Sequence, residues 1–89
     1  MLIKVTQEHL DAARQRQGMV CCNCPVARAI QEHTDCHVRV GLTVANFYER
    51  DNQVARVQLP KEAVRIRDAY DFRTPITGEF DLDIPSFSY

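Results

Sequence analysis

Tryptophan is absent from this 89-residue chain, and glycine occurs only three times. With so few glycines there is no Gly-rich cradle of the kind that specifies a nucleotide phosphate. Long apolar runs are missing as well: no stretch approaches the roughly 18–20 apolar residues of a membrane span. The opening Met1-Leu2-Ile3-Lys4-Val5 lacks the extended apolar region and cleavage site of a signal peptide. Charge of one sign is scarce too, with 11 Lys+Arg against 12 Asp+Glu, a net charge of −1 and no run of like charge. Broad DNA or RNA binding normally shows a basic excess or stripe, so it is disfavoured. Motifs for phosphoryl transfer, hydride transfer and glycoside hydrolysis are all lacking, and no enzyme is expected.

What is present describes an ordinary globular chain, 45% hydrophobic and 26% charged. One α+β domain over residues 1–84 is expected, with a C-terminal tail over 85–89. Without a leader or span, the expected location is cytoplasmic. There, four cysteines are reduced thiols, metal ligands or redox groups before they are a disulfide framework.

The pattern gives the order β-α-α-β-β-α-β, a small, mostly antiparallel sheet with helices on one face. Ile3-Lys4-Val5 forms a strand, and Thr6 caps a helix over 7–17, with Val5 and Leu10 as a hydrophobic staple and Gly18 beyond its end. His9 is expected to face solvent. Pro25 opens a second helix over 25–34. Residues 37–47 alternate as a strand, with Val38, Val40, Leu42 and Val44 on one side. A polar turn, Glu49-Arg50-Asp51-Asn52, leads to a returning strand over 54–59. Pro60 opens a third helix whose face is Leu59, Ala63, Ile66 and Tyr70, ending before Thr74-Pro75. Residues 78–84 form the last strand, with Phe80, Leu82 and Ile84 inward and Glu79, Asp81 and Asp83 in water.

The densest chemical feature is Cys21-Cys22-Asn23-Cys24-Pro25, followed by Cys36-His37. Cys21-x-x-Cys24 can grip zinc through two thiolates, with Cys36, His37 or His33 completing four ligands. Cys36 and His37 are adjacent, however, and strand neighbours point to opposite faces. Small half-buried thiols packing beneath the helix account for the same residues. Because Cys24 directly precedes the helix, its field acts mostly on Cys24 and not on Cys21. This differs from the thioredoxin-like arrangement, and catalytic disulfide exchange is not expected.

Most of the basic residues are arginine, which suits bidentate contacts with carboxylate or phosphate. Arg14, Arg16 and Arg28 could gather around the start of the second helix and hold a phosphate or small nucleotide. Phe47, Tyr48, Phe87 and Tyr89 are the aromatics least explained by the core, and they are candidates for an interface. An unpaired strand edge also allows a symmetric homodimer.

Four segments carry a resemblance. They are Val5-Thr6-Gln7-Glu8-His9-Leu10, the run from Cys21-Cys22-Asn23-Cys24-Pro25-Val26-Ala27 to Ile30, Leu59-Pro60, and Ala69-Tyr70-Asp71 with Gly78-Glu79-Phe80. Together they span most of the chain, which resembles a family of small bacteriophage and prophage proteins with a Cys-x-x-Cys-Pro-Val-Ala motif. Cys22 and Cys36 depart from the family pattern. The resemblance carries no catalytic residue. It implies a phage-encoded accessory protein of the host cytoplasm that binds a host protein, for example a component of antiviral defence. A nucleotide-sequestering module and a zinc-stabilised interaction domain are the alternatives.

Overall fold

The computed structural model describes residues 1–15 and 24–84, and for Arg14 and Gln15 it describes the backbone alone. Gly18, Cys21, Cys22, Arg16, Phe87, Tyr89 and the expected end of the first helix lie outside the described residues. The fold is a small α+β domain. In chain order its elements are β1 (Leu2–Val5), α1 (Gln7–Gln15), α2 (Pro25–Gln31), β2 (His37–Val40), β3 (Val44–Glu49), β4 (Asn52–Gln58), α3 (Lys61–Asp71) and β5 (Gly78–Asp81). The strands form two antiparallel sheets, β1-β5 and β2-β3-β4.

Helix α2 joins the two sheets, packing on β1 and β2 as well as on α1 and α3. Its residues Pro25, Val26, Ala27, Ala29 and Ile30 are buried. That apolar surface exceeds one helical stripe, as a helix enclosed on several sides requires. Around it lie Ile3, Val5, Leu10, Val38, Val40, Phe47, Leu59, Ala63, Ile66, Phe80 and Leu82. In the closing segment Phe80 and Leu82 are buried while Glu79, Asp81 and Asp83 are exposed, the alternation expected of a half-buried strand. Pairing continues past β5, since Leu82 N–H donates to the Met1 carbonyl at 2.9 Å.

Residues 37–47 are two strands, not one. The chain turns at Leu42-Thr43, where Gly41 N–H donates to the Val44 carbonyl at 2.8 Å. Leu42 sits at the tip, 74% exposed, instead of facing inward. A single strand of that length would outrun the returning strand and leave half of its backbone unpaired. Turning at Leu42 lets β3 pair along both sides, with β2 and with β4.

Helix α3 ends in a Schellman motif. Thr74 N–H donates to the Ala69 carbonyl at 2.9 Å and Arg73 N–H to the Tyr70 carbonyl at 3.1 Å. Arg73 occupies the left-handed position, φ 61°, that glycine usually fills.

Candidate functional site

Cys24 caps α2. Its Sγ accepts from Ala27 N–H at 3.3 Å, and the residue is 1% exposed. Burial pushes its thiol up from the ordinary 9.0, against the smaller pull of the Ala27 hydrogen bond and the Arg67 guanidinium. Desolvation thus outweighs the helical field expected to favour the thiolate. Cys36 is also buried, while His37 beside it is exposed. Among the described residues no three His, Cys, Asp or Glu side chains converge to hold a metal ion. Of the thiols expected to grip zinc, Cys21 lies outside the described residues.

The start of α2, read as an anion site, is thus occupied by the chain's own thiol. Arg28 is half-buried and lines an open groove of about 360 Å³ between α1 and α2, together with Glu8, His9, Ala12, Gln31 and Glu32. Among the described residues, Glu8 and Glu32 flank Arg28, a setting that opposes a phosphate. Neither the Arg14 side chain nor Arg16 is among the described residues.

His9 is buried, 8% exposed, where solvent exposure was expected. Its Nδ1 accepts from Thr6 N–H at 3.0 Å, so that nitrogen carries no proton. Nε2 then carries it and donates to Glu32 Oε1. Thr6 precedes the first turn of α1 and its carbonyl receives His9 N–H at 3.1 Å and Leu10 N–H at 3.2 Å. Histidine here does what Glu or Gln does in a capping box, reaching back to the cap's N–H. With both ring nitrogens engaged, His9 ties α1 to the end of α2 and has no atom free for a substrate or metal.

Phe47, a candidate interface aromatic, is 0% exposed and belongs to the core instead. It alternates inward on β3, between half-buried Asn46 and Tyr48. Tyr48 lies on the outer face, with the Arg39 guanidinium 5.5 Å from its ring centroid. The most exposed described aromatic is Phe72, at 79%, just after α3.

The two edges of the three-stranded sheet differ in a way that sequence reasoning missed. Because Gly41 and Val44 form a hydrogen-bonded pair, alternation turns the N–H and C=O of Val38 away from β3, onto the outer edge of β2. The Gln31 side chain, from the end of α2, closes that edge. Its Oε1 accepts from Val38 N–H at 3.0 Å, and its Nε2 donates to the Cys36 carbonyl at 2.6 Å and the Thr34 carbonyl at 3.2 Å. One amide side chain thus imitates the peptide group of a neighbouring strand.

The opposite edge has no such guard among the described residues. Leu59 N–H donates to the Thr43 carbonyl at 2.8 Å. Alternation then points Val57 and Ala55 at β3 and turns the backbone of Arg56 and Gln58 outward. Val54 is the extra residue where the register shifts, a bulge. From Asn52 to Gln58 only Ala55 and Val57 are even half-buried. Where β4 ends, Gln58 and Leu59 border an open groove of about 450 Å³, lined on α3 by Lys61, Val64, Arg65 and Asp68.

No helix among the described residues is long and apolar enough to cross a membrane. Comparison with protein-family models, curated proteins and solved structures finds no match for the chain.

Proposed function

We propose that this chain is a small, non-enzymatic accessory protein of phage origin that acts by binding a host protein, for example a component of the antiviral defence. The phage origin rests on the four segments that resemble small phage and prophage proteins. The binding mode rests on one observation: the β2 edge is closed by Gln31, whereas the β4 edge is long, exposed and unguarded among the described residues. Proteins blunt exposed edges because an open one templates pairing with another chain. A three-stranded sheet that guards one edge and presents the other is suited to taking up a partner there. The groups that most resemble catalytic machinery are committed elsewhere, Cys24 as a buried cap and His9 as a link between helices.

Affinity capture from host lysate tests this, comparing the natural chain with Arg56→Pro. Proline removes an N–H that faces away from β3, a position an edge strand tolerates. A host protein retained by the natural chain and lost with Arg56→Pro, at unchanged thermal stability, is the expected result. Capture of the same proteins by both chains would refute binding through β4.

A further inference from the structure

The open edge of β4 and the groove at its end form one continuous surface, because Gln58 belongs to both. We infer that β4 takes up an extended segment of a partner protein as a fourth strand, and that this segment is acidic where it passes α3. The inference rests on the binding reading above and specifies the chemistry of the partner.

Charge is the first argument. The edge itself carries a single charged side chain, exposed Arg56. Past Gln58 the groove presents Lys61 and Arg65, both exposed, on the face of α3 that also carries Val64 and Asp68. Among the described residues the one acid there, Asp68, lies at the far end and already faces the Arg67 guanidinium at 3.3 Å. At the other end of β4 the turn carries Glu49 and Asp51 beside Arg50. Acids on an incoming strand are therefore favoured near Arg56, Lys61 and Arg65 and opposed near the turn. Half-buried Val64 and buried Leu59 offer the same segment an apolar floor.

The second argument disfavours a second copy of the chain as occupant. Antiparallel pairing of β4 with itself, centred on Arg56, sets two guanidiniums directly opposite each other, which is destabilising. Centring on Val57 brings in Pro60, which has no N–H. Centring on Ala55 brings in the bulge and the turn end. No register uses the outward groups of Arg56 and Gln58 without one of these faults.

The test is an NMR titration of the isotope-labelled natural chain with two blocked peptides of about ten residues, a length typical of long strands. Both alternate valine and threonine; one carries two glutamates at one end, the other two lysines. The expected result is that the glutamate peptide shifts the amides of Arg56, Gln58, Lys61 and Arg65 and binds about fivefold tighter than the lysine peptide, from the charge pairs its two glutamates make with these basic side chains. Arg56→Glu should reduce or reverse that preference. Equal binding of both peptides would overturn the acidic assignment. Shifts confined to residues away from β4, no shifts at all, or concentration-dependent broadening of β4 without peptide would overturn the strand-addition claim; the last marks a second copy as the occupant. If the peptides fail while host capture still depends on Arg56, the partner chemistry is wrong and the binding reading survives. If capture is indifferent to Arg56→Pro, the binding reading itself falls.

Discussion

Replacing Gln31 should unfasten the β2 edge from the helix that guards it. The amide makes two short hydrogen bonds, to Cys36 C=O and Val38 N–H, and a longer one to Thr34 C=O. A neutral hydrogen bond is worth about 0.5–1.5 kcal/mol net. Gln31 itself is exposed, so water recovers part of what is lost. Gln31→Ala is therefore expected to cost about 1–2 kcal/mol. For a domain of this size each kcal/mol lowers the melting temperature by roughly 4–8 °C. Gln31→Glu is nearly isosteric and separates shape from hydrogen bonding. At neutral pH its carboxylate still accepts from Val38 N–H but sets a second oxygen against the Cys36 carbonyl, and adds negative charge at the C-terminal end of α2. It should destabilise at least as much as alanine at pH 7. Part of that loss should return below the carboxylate range, where a protonated acid donates again. Denaturant unfolding of both variants at two pH values provides the assay. If both lie within about 0.3 kcal/mol of the natural chain at pH 7, the amide does not hold the edge and the asymmetry of the edges loses its cause.

Arg73→Gly should stabilise the fold by up to about 1 kcal/mol, since Arg73 sits at φ 61° in the C′ position of α3; a lowered melting temperature would contradict the Schellman assignment. His9→Ala removes both the cap at Thr6 and the link to Glu32, and is expected to cost about 1–2 kcal/mol, with Glu32→Ala costing less because Glu32 is 61% exposed. At Gly78 an added Cβ would lie 2.8 Å from Ile66 Cδ1. Gly78→Ala should therefore destabilise by about 1 kcal/mol, and Ile66→Val, which removes that methyl, should make the double variant more stable than the two single effects predict. The Cys24 thiol is raised above 9.0 by burial, so the folded state holds its proton more tightly than the unfolded chain. Its contribution is fully present below 9.0 and is lost as pH rises from there through the folded value. Cys24→Ala should flatten that alkaline decline in urea unfolding.

The α+β class and antiparallel pairing were legible because the periods are clean. The alternation from Gly78 to Leu82 and the helical spacing of Leu59, Ala63 and Ile66 both appear in the burial pattern. The turn at Leu42 was not, because the alternation of Val38, Val40, Leu42 and Val44 runs through it, and the inward positions change phase only afterwards, at Ala45 and Phe47. Where the strand folds back depends on the length of its partner, a tertiary property. The same holds for His9 and Gln31. Both are polar residues on short helices, and local pattern places such residues in water. Their roles depend on Glu32 and on the β2 edge, 23 and 7 positions away in sequence. His9 did leave one signal: it stands three residues after Thr6, where a capping box puts its second acceptor. Phe47 was ambiguous for a different reason, since an aromatic near a strand end serves a core or an interface equally well. Tyr48 beside it has a partner in Arg39, two strands' register fixing a contact that spacing does not reveal.

An edge held by the chain's own glutamine and an edge left unguarded should differ in their backbone protons, and amide hydrogen exchange of the free chain reads both at once. The Val38 amide, bonded to Gln31 Oε1, is expected to exchange slowly, while Arg56 and Gln58 exchange at rates close to those of unprotected amides. Arg56 and Gln58 as protected as Val38 would mean that the β4 edge is already covered, and would contradict the account.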